Sequence, residues 1–238
     1  MEKIGIETYD AYVKALMDIS RAITSDLFIE DILKLIVLVT AKVTGVDICS
    51  LWLVEEGDKH GKRKIRLAAT QAMDPEYLKD RNLSLGEGVV GYVAQSNRRA
   101  VIPDVLSDPR FKEREMAEKL SLVSLASVPM AIKGKEVIGV LNCFTCEPHE
   151  FTDAEINLIT TVASQASLAI HNTRLMVKAR VIEEELATRK TIERAKEVLM
   201  SQRGMPGDQA FRWLQKKSMD TRKSMKEVAE AILLSADL

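Results

Sequence analysis

The spacing of apolar positions changes twice along this chain, and each change marks a new kind of element. Ile6, Tyr9, Val13, Leu16 and Ile23 recur at roughly helical spacing and predict a helix over residues 4–24. Asp26 stands where an N-cap belongs, and Ile29, Leu33, Ile36, Val39, Thr40 and Val43 keep the same period until Gly45 stops them. The period then drops to two. Val46, Ile48, Ser50, Trp52 and Val54 alternate with Asp47, Cys49, Leu51 and Leu53, which predicts a strand buried on much of both faces. Glu55–Lys62 reads as a turn, and further strands are expected at Ile65–Ala69, Ala100–Ile102, Ser127–Ile132 and Val137–Thr145. Lys133-Gly134-Lys135 reads as the hairpin joining the last two. Gly86–Asn97 reads as a loop feeding a helix at Val89–Gln95, and Pro109–Leu120 as another helical segment. An antiparallel sheet with packed helices is the simplest arrangement of these elements.

At Thr152 the helical period returns. Thr152-x-x-Glu155 has the form of a capping box, and the chain then runs to Gln202 without Pro or Gly. Ile156, Ile159, Val162, Ala166, Ile170, Thr173 and Val177 step by 3, 3, 4, 4, 3 and 4, the spacing of a coiled-coil seam. The first half of this helix also has its own sheet to pack on. Beyond Asn172 no sheet remains to cover Leu175, Met176 and Val177, so a partner helix and a homodimer are expected, with Ile170 in the seam. Gly204-Met-Pro206-Gly207 breaks the helix. A short helix follows over Asp208–Ser218, with Ala210, Phe211 and Leu214 inward, and Ser224-x-x-Glu227 opens a last one on Met225, Val228, Ala229 and Ile232. The expected fold class is α+β: an antiparallel sheet with packed helices, a long coiled-coil linker helix and a C-terminal three-helix bundle. The expected divisions are an N-terminal helix over 1–24, a sheet domain over 25–172, a linker over 173–187 and a tail domain over 188–238.

Composition narrows the function. With 29% charged and 46% hydrophobic residues the chain is globular, and its net charge of −1 excludes a uniformly basic nucleic-acid coat. Three Cys form no paired disulfide framework, which favours a reducing compartment. MEKIGIETYD lacks the apolar stretch of a signal peptide, and the densest apolar run, near Leu33–Val39, is far short of a membrane span. A cytoplasmic protein without a membrane partner is expected. The neutral balance hides one basic region: between Arg189 and Lys226 stand eleven Lys or Arg against four acids. Arg189, Lys196 and Arg203, spaced by sevens, share one helix stripe, while Lys216, Lys217, Arg222 and Lys223 gather near the next turn. Such a cluster is the footprint of phosphate contact, or a solvated face balanced by acids.

Catalytic candidates are sparse. His60, His149 and His171 belong to no metal or general-base motif, and no nucleotide-binding segment follows His171 as a phosphorelay would need. Cys143 and Cys146 form C-x-x-C, but on a strand the two side chains point to opposite faces, which is poor for chelation. Gly86-Glu-Gly88-Val-Val-Gly91 lacks phosphate-loop spacing. No metal site is expected.

GEGVVGYVAQSNRRAVIPDVLSDPRF (Gly86–Phe111), SVPMAIKGKEVIGVLNCF (Ser127–Phe144) and EFTDAEINLITTVASQASLAIHN (Glu150–Asn172) together resemble the GAF domain, over roughly residues 20–172. The resemblance implies a small-molecule sensor with a pocket over the sheet, whose ligand the sequence does not name. Phe111 is followed by Lys112, Glu113, Arg114, Glu115 and Met116, so the Phe-x3-Asp-Glu of the cyclic-nucleotide-binding subgroup is missing. The pocket position serves either a ligand or a packed dimerisation scaffold; Trp52, Tyr92 and Asp104 are its candidate lining residues. RKTIERAKEVLMSQRGMPGDQAFRWLQKKSMDTRKSMKEVAEAIL (Arg189–Leu233) closely resembles the ANTAR domain through Ile192, Glu193, Ala195, Lys196, Leu199, Met200, Ala210, Phe211, Val228 and Ala229. Glu197 stands where that family has glycine, and Arg222 where asparagine is common. The resemblance implies a non-enzymatic regulator that binds tandem RNA hairpins in nascent leader transcripts and prevents terminator formation. The residues expected to meet RNA are Arg189, Lys190, Lys196, Arg203, Lys216, Lys217, Thr221, Arg222 and Lys223. Two rivals remain: a DNA-binding transcription factor whose last two helices form a helix-turn-helix, and a thiol-dependent enzyme built on Cys49, Cys143 and Cys146, such as a sulfoxide reductase.

Overall fold

Among the described residues, six strands form a single antiparallel sheet in the order β3-β2-β1-β6-β5-β4: β1 (Ile48–Val54), β2 (Lys64–Thr70), β3 (Asn82–Ser84), β4 (Ala100–Ile102), β5 (Ser124–Ile132) and β6 (Glu136–Thr145). The structure is a computed structural model and describes residues 29–55, 57, 62–72, 81–132 and 136–236. The expected first helix over 4–24, the Asp26 cap and the Lys133–Lys135 turn lie outside these residues. The helices are α1 (Ile29–Thr44), α2 (Gly88–Ser96), α3 (Arg114–Lys119), α4 (Asp153–Arg203), α5 (Gly207–Thr221) and α6 (Met225–Ala236).

The chain divides into two units at Thr173. In the first, alternation in the central strands separates two cores. Cys49, Leu51 and Leu53 of β1, Leu141 and Cys143 of β6, and Val128 and Met130 of β5 face α1 and the first turns of α4. Trp52, Val54, Val140, Phe144 and Leu125 face the opposite way, toward α2 and the segments around α3. The apolar run of β1 is thus buried on both faces because both faces carry cover. On α1 the buried face is Ile32, Leu33, Ile36 and Val37, each contributing about 1.5–3 kcal/mol. The capping box forms as expected: the Thr152 backbone N–H and hydroxyl both donate to Glu155 Oε2, and the Glu155 N–H returns to Thr152 Oγ1.

Three expectations change in this unit. The helical reading of Pro109–Leu120 shrinks to Arg114–Lys119, because Asp108 draws the Arg110 N–H and guanidinium into a local turn. Strand β5 starts at Ser124 rather than Ser127, and the three-residue β3 was not foreseen. A Cβ on Gly91 would lie 2.5 Å from the Ser84 carbonyl oxygen, so glycine is what lets α2 start this close to β3. The largest change concerns the seam. Ile156, Ile159, Val162, Ala166 and Ile170 are all buried against the chain's own sheet. Ile170 therefore belongs to a monomer core and is no dimer contact. Periodicity fixed the face that needed cover but not what covers it.

In the second unit, Ala195 and Leu199 of α4, Ala210 and Leu214 of α5, and Val228 and Ala229 of α6 form a small buried core. Gly204, at φ +62°, allows the sharp exit from α4. Phe211, expected inward, is 43% exposed, because Ala210 and Leu214 already define the inner face of α5. The second capping box, Ser224 with Glu227, closes with the same three bonds as the first. Among the described residues no helix is long and apolar enough to cross a membrane.

Candidate nucleic-acid interface and ligand cavity

The basic stripe of α4 survives only in part. Arg189 and Lys190 are exposed. Lys196, expected to stand free, is 23% exposed and ion-paired to Glu193 three residues earlier. Arg203 lays its guanidinium over the Trp213 ring, 4.9 Å from the centroid, which fixes its direction while leaving it exposed. Where α5 ends the cations are better presented. Lys216, Lys217, Arg222 and Lys223 are all exposed, and among the described residues none makes an ion pair. Thr221, also exposed, donates its hydroxyl to the Lys217 carbonyl. Arg222 is the left-handed residue that ends α5, at φ 55° and ψ 30°, with its N–H on the carbonyls of Met219 and Ser218. This accounts for the asparagine that is common at the position, which adopts that conformation more readily than a long side chain; nothing in the structure explains the arginine. The Ser218 hydroxyl donates to the Lys223 carbonyl at 2.5 Å and tightens the same turn. Phe211, beside Val181 and Ile192 in an open groove, was missed as a surface residue; its apolar character hid it.

Helix α6 presents little to a nucleic acid. Val228 and Ala229 are buried, Lys226 reaches Glu230 at 4.0 Å, and Glu227 is held in the capping box. The Ser224 backbone N–H, then its hydroxyl, keeps the Glu227 carboxyl below its ordinary pKa and therefore charged. Two acids on the outer face do not suit a recognition helix in a DNA groove.

In the first unit a cavity of about 40 Å³ lies between the sheet and the helices α2 and α3. Trp52, Val89, Phe111, Leu125 and Phe144 supply its apolar wall, Asn142 one buried polar group, and Arg81, Lys112 and Glu113 its charged members. Of the three candidates named from the sequence, only Trp52 lines it. Tyr92 instead packs beneath Arg110, whose guanidinium sits 5.1 Å from the ring centroid. Asp104 is an exposed turn residue: it accepts the Ser107 hydroxyl and the Leu106 N–H, and in that order these lower its pKa. The signal for Asn142 was present as one amide in the apolar run Val-Leu-Asn-Cys-Phe.

The thiols lie elsewhere. Cys49 and Cys143 are cross-strand partners with their sulfurs 3.5 Å apart, on the face turned toward α1 and α4. The contact with Cys49, and then burial, pushes the Cys143 thiol well up. Burial, followed by Asp47, also raises Cys146. Neither Cys143 nor Cys146 is favoured as the thiolate that nucleophilic chemistry needs. No group of three or more potential metal ligands occurs among the described residues.

A family model for the GAF domain matches residues 29–170, and one for the ANTAR domain matches residues 180–233. The chain is similar to the transcriptional regulatory protein PdtaR of Mycobacterium tuberculosis, with 39% identity over 77 residues, 32% of this chain and 38% of that protein. It thus spans less than two fifths of that relative's length. Among solved structures, the GAF domain of a phosphoenolpyruvate-protein phosphotransferase from Coxiella burnetii aligns at a TM-score of 0.60 and 25% identity, covering 71% of this chain and 98% of that one. Free methionine-R-sulfoxide reductase from Neisseria meningitidis, in complex with its substrate, aligns at 0.57 and 19% identity, covering 74% and 97%, a likeness of fold alone.

Proposed function

Given that the chain belongs to the GAF domain family and carries an ANTAR domain after it, we propose that it is a signal-responsive, non-enzymatic RNA-binding regulator. Its tail holds paired hairpins of a nascent leader transcript and so prevents termination. The observation that carries this reading is the cluster of exposed, unpaired cations Lys216, Lys217, Arg222 and Lys223 at the end of α5, inside the ANTAR match. Hairpin loops offer phosphates and splayed bases to such a turn. The acids of α6 count against the DNA-binding rival, and the buried thiols facing away from the cavity count against the thiol-enzyme rival.

Assembly belongs to the same proposal. Leu175, Ala179, Ile182 and Leu186 step by 4, 3 and 4 along a stretch of α4 with no cover among the described residues, and a second copy supplies that cover. The GAF unit binds a small molecule, and that ligand alters RNA affinity only through different affinities for two states of the chain.

The test is RNA-hairpin affinity at several salt concentrations for the wild type and for the triple variant Lys216→Ala, Lys217→Ala, Lys223→Ala. Each cation meeting a single-stranded phosphate adds roughly 0.7 to the slope of log affinity on log salt, so the triple variant loses roughly 2 from that slope and binds more weakly. Unchanged affinity and slope in a folded variant would remove the RNA reading. Tighter binding to duplex DNA than to the hairpin would favour the rival.

A further inference from the structure

Resting on the reading of the tail as RNA-binding, we infer that Arg203 and Trp213 receive one unpaired base of the hairpin. The base stacks on the open side of the Arg203 guanidinium, and Trp213 is the positioning residue that holds that group in place. Arg203 is the last residue of α4 and Trp213 lies on α5. The sharp exit at Gly204 brings them together, with the guanidinium carbon 4.9 Å from the ring centroid. Trp213 is half-buried against the tail core, whereas Arg203 is exposed and makes no ion pair among the described residues. One side of the guanidinium is thus turned to the indole and the other to solvent. A planar cation covered on one side accepts a second flat, electron-rich group on the other, and a base splayed out of an RNA loop is such a group.

A phosphate contact does not need this arrangement. Lys216, Lys217 and Lys223 are exposed point charges on flexible stems, and a phosphate meets them from many directions. Holding a guanidinium against an indole costs side-chain freedom, and what the restriction provides is a fixed plane for a flat ligand. The neighbours suit the same occupant. Trp213, Lys216 and Lys217 are three and four residues apart and share one face of α5. Lys217 stands about 6 Å along the axis from Trp213, the scale on which a nucleotide separates its base from its phosphate. Asp220, the acid of this face, lies beyond Lys217 and away from the ring. Phe211 is the contrasting aromatic of α5: it too is exposed, but on the other side of the helix, in the groove with Glu184, Glu185 and Glu193, where a phosphate chain is repelled.

The test uses the full chain and a hairpin RNA that the wild type recovers from a pool with a randomised loop. Each loop nucleotide in turn is replaced by an abasic one, and affinity is measured for the wild type, Arg203→Lys, Trp213→Leu and Phe211→Ala. With the wild type, loss of the base at one position is expected to weaken binding roughly 5–150-fold, the range for one stacked base. Arg203→Lys keeps the charge and the salt slope, yet the same base loss should then matter less than about twofold, and Trp213→Leu should behave alike. Phe211→Ala should keep the wild-type pattern. If Trp213→Leu does not fold, Arg203→Lys decides, because Arg203 is exposed. Equal costs of base removal for the wild type and Arg203→Lys at every loop position overturn the assignment, even where the variant binds more weakly throughout. Hairpin binding that depends on Lys216, Lys217 and Lys223 without any coupling between Arg203 and a base refutes this inference and leaves the RNA reading standing. A pool that yields no hairpin for the folded wild type removes both.

Discussion

Helix α4 contains two stretches of similar apolar content with opposite fates. From Ile156 to Ile170 its apolar face is buried in the first core, whereas Leu175, Ile182 and Leu186 are 51%, 56% and 53% exposed. At Ala195 and Leu199 the helix becomes covered again, by α5 and α6. Intrinsic propensity does not set these fates, because the exposed stretch is the richer in strong helix formers (Leu175, Met176, Lys178, Glu183, Glu184 and Glu185), so the difference lies in what the other described residues provide as cover. Among the described residues the bare stretch has no apolar cover, and a helix without such cover is marginal in water. A face of this kind persists where a partner completes it. The helix therefore joins two regions that each carry a core of their own through one that the described residues leave exposed.

The strongest test places a charge on each side of this boundary. Ile170→Lys buries an unpaired ammonium in the first core and should cost about 3–5 kcal/mol, abolishing the cooperative melt of that unit. Ile182→Lys should leave that melt in place and shift the dimer to monomer in sedimentation. If Ile170→Lys only separates the dimer while the melt is kept, the division drawn here is wrong.

A smaller effect compares two leucines further along the same helix. Leu199→Ala empties part of the tail core and should cost about 2–5 kcal/mol, whereas Leu186→Ala should change the stability of a single chain by less than about 0.5 kcal/mol. Thermal melts below the dimer dissociation constant read both. Smaller still is Arg222→Gly. It relieves a left-handed residue and should stabilise the tail by about 0.5–1 kcal/mol, raising its melting temperature without moving that of the first unit. A shift of both would show that the two covered regions unfold together across the bare stretch.

The smallest effect is acid fraying at the start of α6. The Ser224 box lowers the Glu227 pKa, so its stabilisation is complete above the ordinary carboxylate value near 4.5 and is lost as pH falls through the lower folded value. Amide exchange at the first turn of α6 should quicken in that window, and Glu227→Gln should remove the pH dependence.

Both capping boxes, the breaks at Gly45 and Gly204 and the two-sided burial of β1 were legible in the sequence, because each depends on residues close together in the chain. The cover of Ile170 was not, since a buried face reads the same whether sheet or partner lies against it. Phe211 was misread because helical period leaves a margin of about one residue in where a face begins. The Lys196–Glu193 pair was legible by its spacing, yet the charge count treated Lys196 as free. The cavity was the least legible part. Asn142 shares it with Phe111 and Val89, brought in from distant segments, while Asp104 and Tyr92 are close in sequence to α2 and satisfied locally.

The paired thiols of Cys49 and Cys143 make the sheet its own reporter. Neither sulfur is accessible while β1 and β6 remain joined, and Cys146, half-buried with its pKa pushed up, reacts on a separate and slow timescale. An alkylating reagent at neutral pH therefore titrates one thiol in the native chain and gains two more only when the centre of the sheet opens. Mass spectrometry of the labelled chain becomes a clock for that opening, readable in dilute samples or crude mixtures without an attached dye. Run with and without a candidate ligand, the same clock gives the affinity of the folded first unit for that ligand from the slowing of the second and third labels.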